Sequence, residues 1–169
     1  IYIPKYMLIL EKLYVNAFKM LISFGIVAGF AAAYRIHPTW NLIGCIPVVF
    51  LVLLLTFACG ILVAHFGVYI NDLYNVVQVI LRFMFYLSGV FYDVSDRLSQ
   101  TTFLGFNVGR MMITVNPVAY VIDELRKIII YGQPLRIEMY IYWLGISLIL
   151  LFAGLKLMYR FENSYIKVV

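Results

Sequence analysis

An all-α integral membrane protein is the fold class that this sequence predicts, on three observations. Hydrophobic residues make up 64% of the chain and charged residues only 12%, with a mean hydropathy of +0.97, whereas soluble domains carry about 25% charged residues. The apolar residues gather into about four stretches long enough for the roughly 20 residues a helix needs to cross a bilayer. A short amphipathic stretch with its own start and stop signals precedes the last of them. The expectation is a single membrane domain over residues 1–169, with four transmembrane helices and an amphipathic re-entrant region before the final one.

Ile1 opens the chain without an initiator Met, and the first residues lack the basic, apolar, small-residue order of a signal peptide. An N-terminally truncated piece of a longer protein is therefore expected. Cys45 and Cys59 lie in apolar sequence without CxxC spacing and read as small lipid- or core-facing residues.

Residues 1–13 place Pro4, Lys5, Glu11 and Lys12 among apolar neighbours, the pattern of an interfacial helix leading into the membrane. The first span is expected at 14–34. Within it Gly25 and Gly29 form a GxxxG that Ala33 continues, a packing face with no side chains to hold a neighbouring helix away. Arg35 to Asn41 reads as a polar turn, with Pro38 as breaker and Trp40 at aromatic-belt depth. The second span, 42–68, is longer than a bilayer demands, so it tilts or projects towards the polar patch Tyr69-Ile70-Asn71-Asp72-Leu73. His65 has no carboxylate or second His nearby in sequence and reads as an interface residue rather than a ligand or proton relay.

The third span, 76–92, carries a polar stripe: Asn71, Asn75, Gln78, Arg82, Tyr86, Gly89 and Asp93 recur at three- and four-residue steps. An ionisable group at mid-bilayer costs at least about 2.5 to 3.5 kcal/mol, so such a stripe faces protein, a water-filled path or an interface. Two readings stand together. Either the stripe lines a pathway, or Arg82 snorkels to the headgroups while Asn75 and Gln78 bond to neighbouring helices.

The segment before the last span is not a plain loop. Asn116-Pro117 has the form of an N-cap followed by Pro at the first helical position, and Gly132 suits a helix stop. Between them Val118, Val121, Ile122, Leu125, Ile128 and Ile129 repeat at helical spacing opposite Asp123, Glu124, Arg126 and Lys127, acids before bases as the helix dipole prefers. This predicts an amphipathic helix over 117–131, too short and charged to span, lying at the membrane surface or re-entering it. Its acids read as a solvated face rather than a paired-carboxylate site. The last span, 139–157, opens with Tyr140, Tyr142 and Trp143 at the interface and leads into a tail with Arg160, Glu162 and Lys167.

An even number of spans puts both termini on one side. The bases divide almost equally between the two sides, with a slight preference for cytoplasmic termini. The net charge of +5 fits contact with anionic lipid, and the scatter of the bases argues against nucleic acid. The chain has no GxxxxGK[ST], HExxH or GxSxG and no clustered metal ligands. It is expected to hold no metal or cofactor and to draw any driving energy from elsewhere.

Short patterns follow one another along the chain: Tyr69-Ile70-Asn71-Asp72; Ser88-Gly89-Val90; Asn116-Pro117 with Glu124-Leu125-Arg126; and Gly154, Tyr159-Arg160 and Phe161-Glu162. In this order they resemble the membrane permease subunit of ABC-2-type exporters, in the branch that moves lipid-linked polysaccharides and teichoic acids. The resemblance covers essentially the whole chain as the C-terminal two-thirds of such a permease, starting at Ile3-Pro4-Lys5, between the second and third of the family's six spans. The chain departs from the family at Asn71, where the family has Arg, and at Gly89, where it has Pro.

The resemblance implies a homodimeric permease in the cytoplasmic (inner) membrane, multi-pass with cytoplasmic termini, paired with a separate ABC ATPase subunit that carries ATP and Mg. Coupling to that ATPase would fall on Pro4, Lys5, Tyr69, Asn71 and Asp72, and the re-entrant helix with Asn116, Pro117, Glu124 and Arg126 would lie on the outer side. Transport would proceed by alternating opening at the dimer interface. Its lining is expected at Gln78, Phe85, Tyr86 and Tyr92, with Arg82 as a diphosphate contact, because aromatic faces stack on sugars while allowing them to slide. The same aromatics also suit lipid-belt or core packing. Partners would be membrane lipids and a lipid-linked glycan of teichoic acid, O-antigen or capsule type. Alternatives are export of a small molecule or drug, and an intramembrane enzyme with Asp93, Asp96 or Asp123 as base and Arg82 as phosphate clamp.

Overall fold

A computed structural model describes residues 5–36, 39–70, 72–92, 102–103 and 106–160. The described chain is helical apart from a two-residue antiparallel pair, Thr102–Phe103 (β1) with Phe106–Asn107 (β2). The helices are α1 (Lys5–Ala33), a 3-10 turn (Trp40–Gly44), α2 (Cys45–Gly67), α3 (Leu73–Leu87), α4 (Val108–Val115), α5 (Pro117–Ile129) and α6 (Ile137–Arg160). The chain forms two compact units: Ile1–Thr39, Val49–Asn71 and Leu144–Val169 in the first, and Trp40–Val48 with Asp72–Trp143 in the second.

Among the described residues three segments are helices long and apolar enough to cross a membrane: Met7–Ala33, Trp40–Gly67 and Ile137–Arg160. This composition is compatible with a membrane protein. The expected interfacial helix and first span are one continuous helix, α1. The segment read as the third of four spans is shorter than expected: α3 has 15 residues and rises about 22 Å, against a hydrocarbon thickness of about 30 Å. It stops early because Gly89, one residue beyond the Ser88 cap, takes a left-handed φ of 68°. The apolar Val90-Phe91 that follows continues the hydropathy but not the helix.

In the first unit α2 is approached from both sides. A Cβ on Gly60 would meet Ile9 of α1 at 3.1 Å, and one on Gly154 of α6 would meet Ile61 at 3.0 Å. These are the small residues that let helices come close. The sequence points instead to Gly25, Gly29 and Ala33, and that face is exposed, with nothing within 4 Å of either glycine among the described residues. The end of α1 has a complete 6→1 and 5→2 bond pair, Ile36 N–H to Ala31 O at 2.9 Å and Arg35 N–H to Ala32 O at 3.1 Å, with Arg35 at φ 55° in the place usually taken by Gly.

The second unit is built around α5. Ala119, Tyr120 and Ile128 are buried, and the 3-10 turn closes against its end: a Cβ on Gly44 would meet Ile128 at 3.3 Å, and Asn41 Nδ2 donates to Gly132 O at 2.6 Å. Gly132, at φ 62°, makes the reversal that sends the chain back under α5. Trp143, expected in the aromatic belt, is buried instead, its indole N–H donating to Ile113 O at 3.2 Å.

Candidate functional site

Two sets of contacts in the second unit bring distant sequence motifs together. The first is a clasp at the C-terminal end of α3. Asn116 is the only residue between α4 and α5 and belongs to both: its N–H closes α4 on Met112 O at 2.8 Å, and its side-chain oxygen accepts from Val118 N at 3.0 Å and Ala119 N at 3.3 Å. The side-chain nitrogen then donates to Met84 O and Ser88 Oγ, both at 3.1 Å, while the Ser88 hydroxyl donates to Met84 O. Asp or Ser would cap the helix equally well, but only Asn has two amide donors left over for α3. Nearly three turns further along α5, Arg126 donates from Nη1 to Tyr92 O at 3.1 Å and from Nη2 to Gly89 O at 3.2 Å. The clasp therefore grips α3 on both sides of its stop.

The second set is an ion cluster. Asp123 and Glu124 are 1% and 0% exposed, so the face expected to be solvated is inside the unit. The residue that makes this tenable is Arg136. Its Nε donates to Glu124 Oε2 and its backbone N–H to Glu124 Oε1, each at 2.7 Å, and Nη2 reaches Asp123 Oδ2 at 2.6 Å. Lys127 Nζ lies 3.0 Å from the same Asp123 oxygen. Two carboxylates thus meet two cations, and every carboxylate contact is charge-assisted. Burial works against the Arg136 cation, but the hydrogen bond and charge of Glu124, with those of Asp123, outweigh it and raise its pKa.

Tyr120, fully buried, lies beneath this cluster with the Arg136 guanidinium carbon 5.9 Å from its ring centre. Its hydroxyl has no hydrogen-bond partner among the described residues. Burial first, and then the Glu124 charge, raise its pKa. Beside the cluster an open cleft of about 620 Å3 lies between the start of α4, Asn107 to Ile113, and the start of α6, Arg136 to Met139.

The expected pathway residues lie on the other side of α3. Taking about 100° per residue, Leu73, Val77, Met84 and Ser88 share one face, and these are the less exposed positions. Asn75, Arg82 and Tyr86 lie opposite and are exposed, Tyr86 at 70%. Gln78 is half-buried at the edge and donates to Tyr74 Oη at 3.0 Å. Phe85 is exposed and stacks edge-on with Tyr86 and Phe91, and Tyr92 is half-buried in the clasp. Of the expected coupling residues, Pro4 and Asn71 lie outside the described residues, as do Asp93 and Asp96. Lys5 opens α1, Tyr69 is exposed with its ring 5.5 Å from that of His65, and Asp72 precedes α3 without a side-chain cap bond. His65 is buried between aromatic edges, Phe66 at 5.1 Å as well as Tyr69.

Sequence reading missed Arg136, Tyr120 and Ser88 as partners of the amphipathic helix. One signal was available: two adjacent acids on a helix, followed after a Gly and Pro reversal by a single Arg. Among the described residues no three His, Cys, Asp or Glu gather as metal ligands. The chain matches no protein-family model, no curated protein and no solved structure at a significant level.

Proposed function

We infer that this chain is the permease subunit of an ATP-driven exporter that moves a lipid-linked polysaccharide across the cytoplasmic membrane, with ATP hydrolysed on a separate partner. The observation that carries this reading is the clasp. Ser88-Gly89 is one motif of the resemblance and Asn116-Pro117 with Glu124-Leu125-Arg126 another, and two hydrogen bonds join them, Asn116 to Ser88 and Arg126 to Gly89.

The exposed stripe of α3 supports the same reading. An amphipathic helix whose polar face is turned away from its own unit needs water, headgroups or another protein surface there. In the proposal Gln78, Arg82 and Tyr86 face the glycan path of a homodimer, and Phe85 and Tyr86 offer ring faces on which sugars slide. The α5 helix is then the re-entrant element on the outer side, and both termini are cytoplasmic. The intramembrane-enzyme alternative loses one of its candidate bases, because Asp123 is already held by Arg136 and Lys127.

The test is affinity purification of the full-length protein in mild detergent, followed by mass spectrometry. The reading expects a P-loop ATPase in near one-to-one ratio. An intact complex without one would overturn it.

A further inference from the structure

The cleft between the starts of α4 and α6 has no part in the exporter reading, yet it is built like a ligand site. Its volume, about 620 Å3, falls within the roughly 300–1,000 Å3 of small-molecule sites. Its charges are of both signs. The Arg110 guanidinium and the Glu138 carboxylate line it, both exposed and both without a partner among the described residues. Arg136 also lines it. Nε and Nη2 of Arg136 are committed to Glu124 and Asp123, which leaves Nη1 with no bond among the described residues. The remaining walls include Ile113, Ile137 and Met139.

Depth selects the class of ligand. Ile137 and Glu138 begin a helix long and apolar enough to cross a membrane, and the first turn of such a helix lies at the level of the headgroups. Charge selects further. A plain anion drawn to Arg110 would meet Glu138, and a plain cation drawn to Glu138 would meet Arg110. A molecule with a phosphate and an ammonium satisfies both. None of the described lining residues is aromatic, so they supply no cage of the kind that holds a quaternary ammonium, whereas a carboxylate suits a primary ammonium with N–H donors.

We propose that this cleft binds the headgroup of a zwitterionic phospholipid of the phosphoethanolamine type. The phosphate lies on Arg110 and Arg136 Nη1, the ammonium on Glu138, and the glycerol end against Ile113, Ile137 and Met139. The proposal is independent of what the protein exports.

The test is native mass spectrometry of the full-length protein, delipidated in mild detergent and titrated separately with phosphatidylethanolamine, phosphatidylcholine, phosphatidylglycerol and inorganic phosphate. Phosphatidylethanolamine is expected to bind about tenfold or more tightly than the other two lipids, the worth of one charge-assisted hydrogen bond. Arg110→Gln should weaken it by a similar factor. Glu138→Gln should abolish the preference while leaving phospholipid binding in place. Both residues are exposed, and unchanged Trp143 emission, beside Ile113, reports that the variants are folded. Equal affinity for the three lipids, or phosphatidylethanolamine binding that ignores Arg110→Gln, overturns the proposal. So does inorganic phosphate binding as tightly as the lipid through Arg110, which would make this a free-phosphate site.

Discussion

Asn116 and Ser88, 28 residues apart in sequence, are joined by a side-chain hydrogen bond of 3.1 Å that fixes the start of one helix against the end of another. Asn116 is 8% exposed and Ser88 1%, so neither has water as an alternative partner. The bond is worth more than its length suggests because breaking it strands polar atoms in a dry setting.

Asn116→Asp separates the two duties of this residue. The carboxylate still caps α5 but has no donor for Met84 O and faces it with a like partial charge. The substitution is expected to lower stability by about 2–3 kcal/mol, well beyond the ~1 kcal/mol of a lost cap. Thermal unfolding in detergent, followed by helical circular dichroism, measures it. A variant as stable as the parent would show that the clasp contributes nothing.

Gly89→Pro is expected to damage this chain. Proline is held near φ −65° and cannot reach the 68° found here. Gly89→Ala should cost about 1–2 kcal/mol for the left-handed backbone alone, and the Pro variant more. Comparing the yields of folded protein and the unfolding midpoints of both variants checks the order.

Removing Arg136 should be among the most damaging changes in the second unit. Arg136→Met leaves Glu124 buried without its cation, and such breaks cost about 3–5 kcal/mol. Adding Glu124→Leu in the same chain should recover most of the loss, since Asp123 keeps Lys127 at 3.0 Å. A double variant no more stable than Arg136→Met would mean that the guanidinium matters for something other than Glu124.

Tyr120→Phe removes a buried hydroxyl that has no hydrogen-bond partner among the described residues, so at neutral pH it should leave stability unchanged or raise it slightly. Its effect at high pH has a definite sign. The Tyr120 pKa is raised above its ordinary 10.0, so the folded state holds this proton more tightly than the unfolded state. That contribution is complete below pH 10 and is lost as pH rises towards the folded value, at about 1.4 kcal/mol per pH unit. Arg136, also raised, adds its own loss only at still higher pH. Unfolding midpoints from pH 7 to pH 11 should bend downward above pH 10 in the parent, and the bend should be weaker in Tyr120→Phe.

What could be read in advance were the features encoded by neighbours along the chain. Asn116-Pro117 and Gly132 set the ends of α5, because capping and left-handed reversal act within a few residues. The long apolar runs of α1, α2 and α6 follow from composition alone. The extent of α3 was misjudged because hydropathy runs through Val90 and Phe91, whereas the helix ends where the backbone turns at Gly89. A GxxxG spacing says only that close approach is possible, not which helix makes it. Gly25 and Gly29 meet no helix of this chain among the described residues, and Gly60 and Gly154, without that spacing, do.

Composition and local pattern thus determined that this chain is helical with long apolar segments, and where its amphipathic helix begins and ends; that three described helices rather than four are long and apolar enough for a membrane was decided by where the helices stop. Only the tertiary structure decided what the amphipathic helix does with its charges. A solvated acidic face and a buried ion cluster share the same sequence, Asp123-Glu124. The difference is whether Arg136 returns within 3 Å of both carboxylates, and that depends on a chain reversal whose outcome no local rule contains.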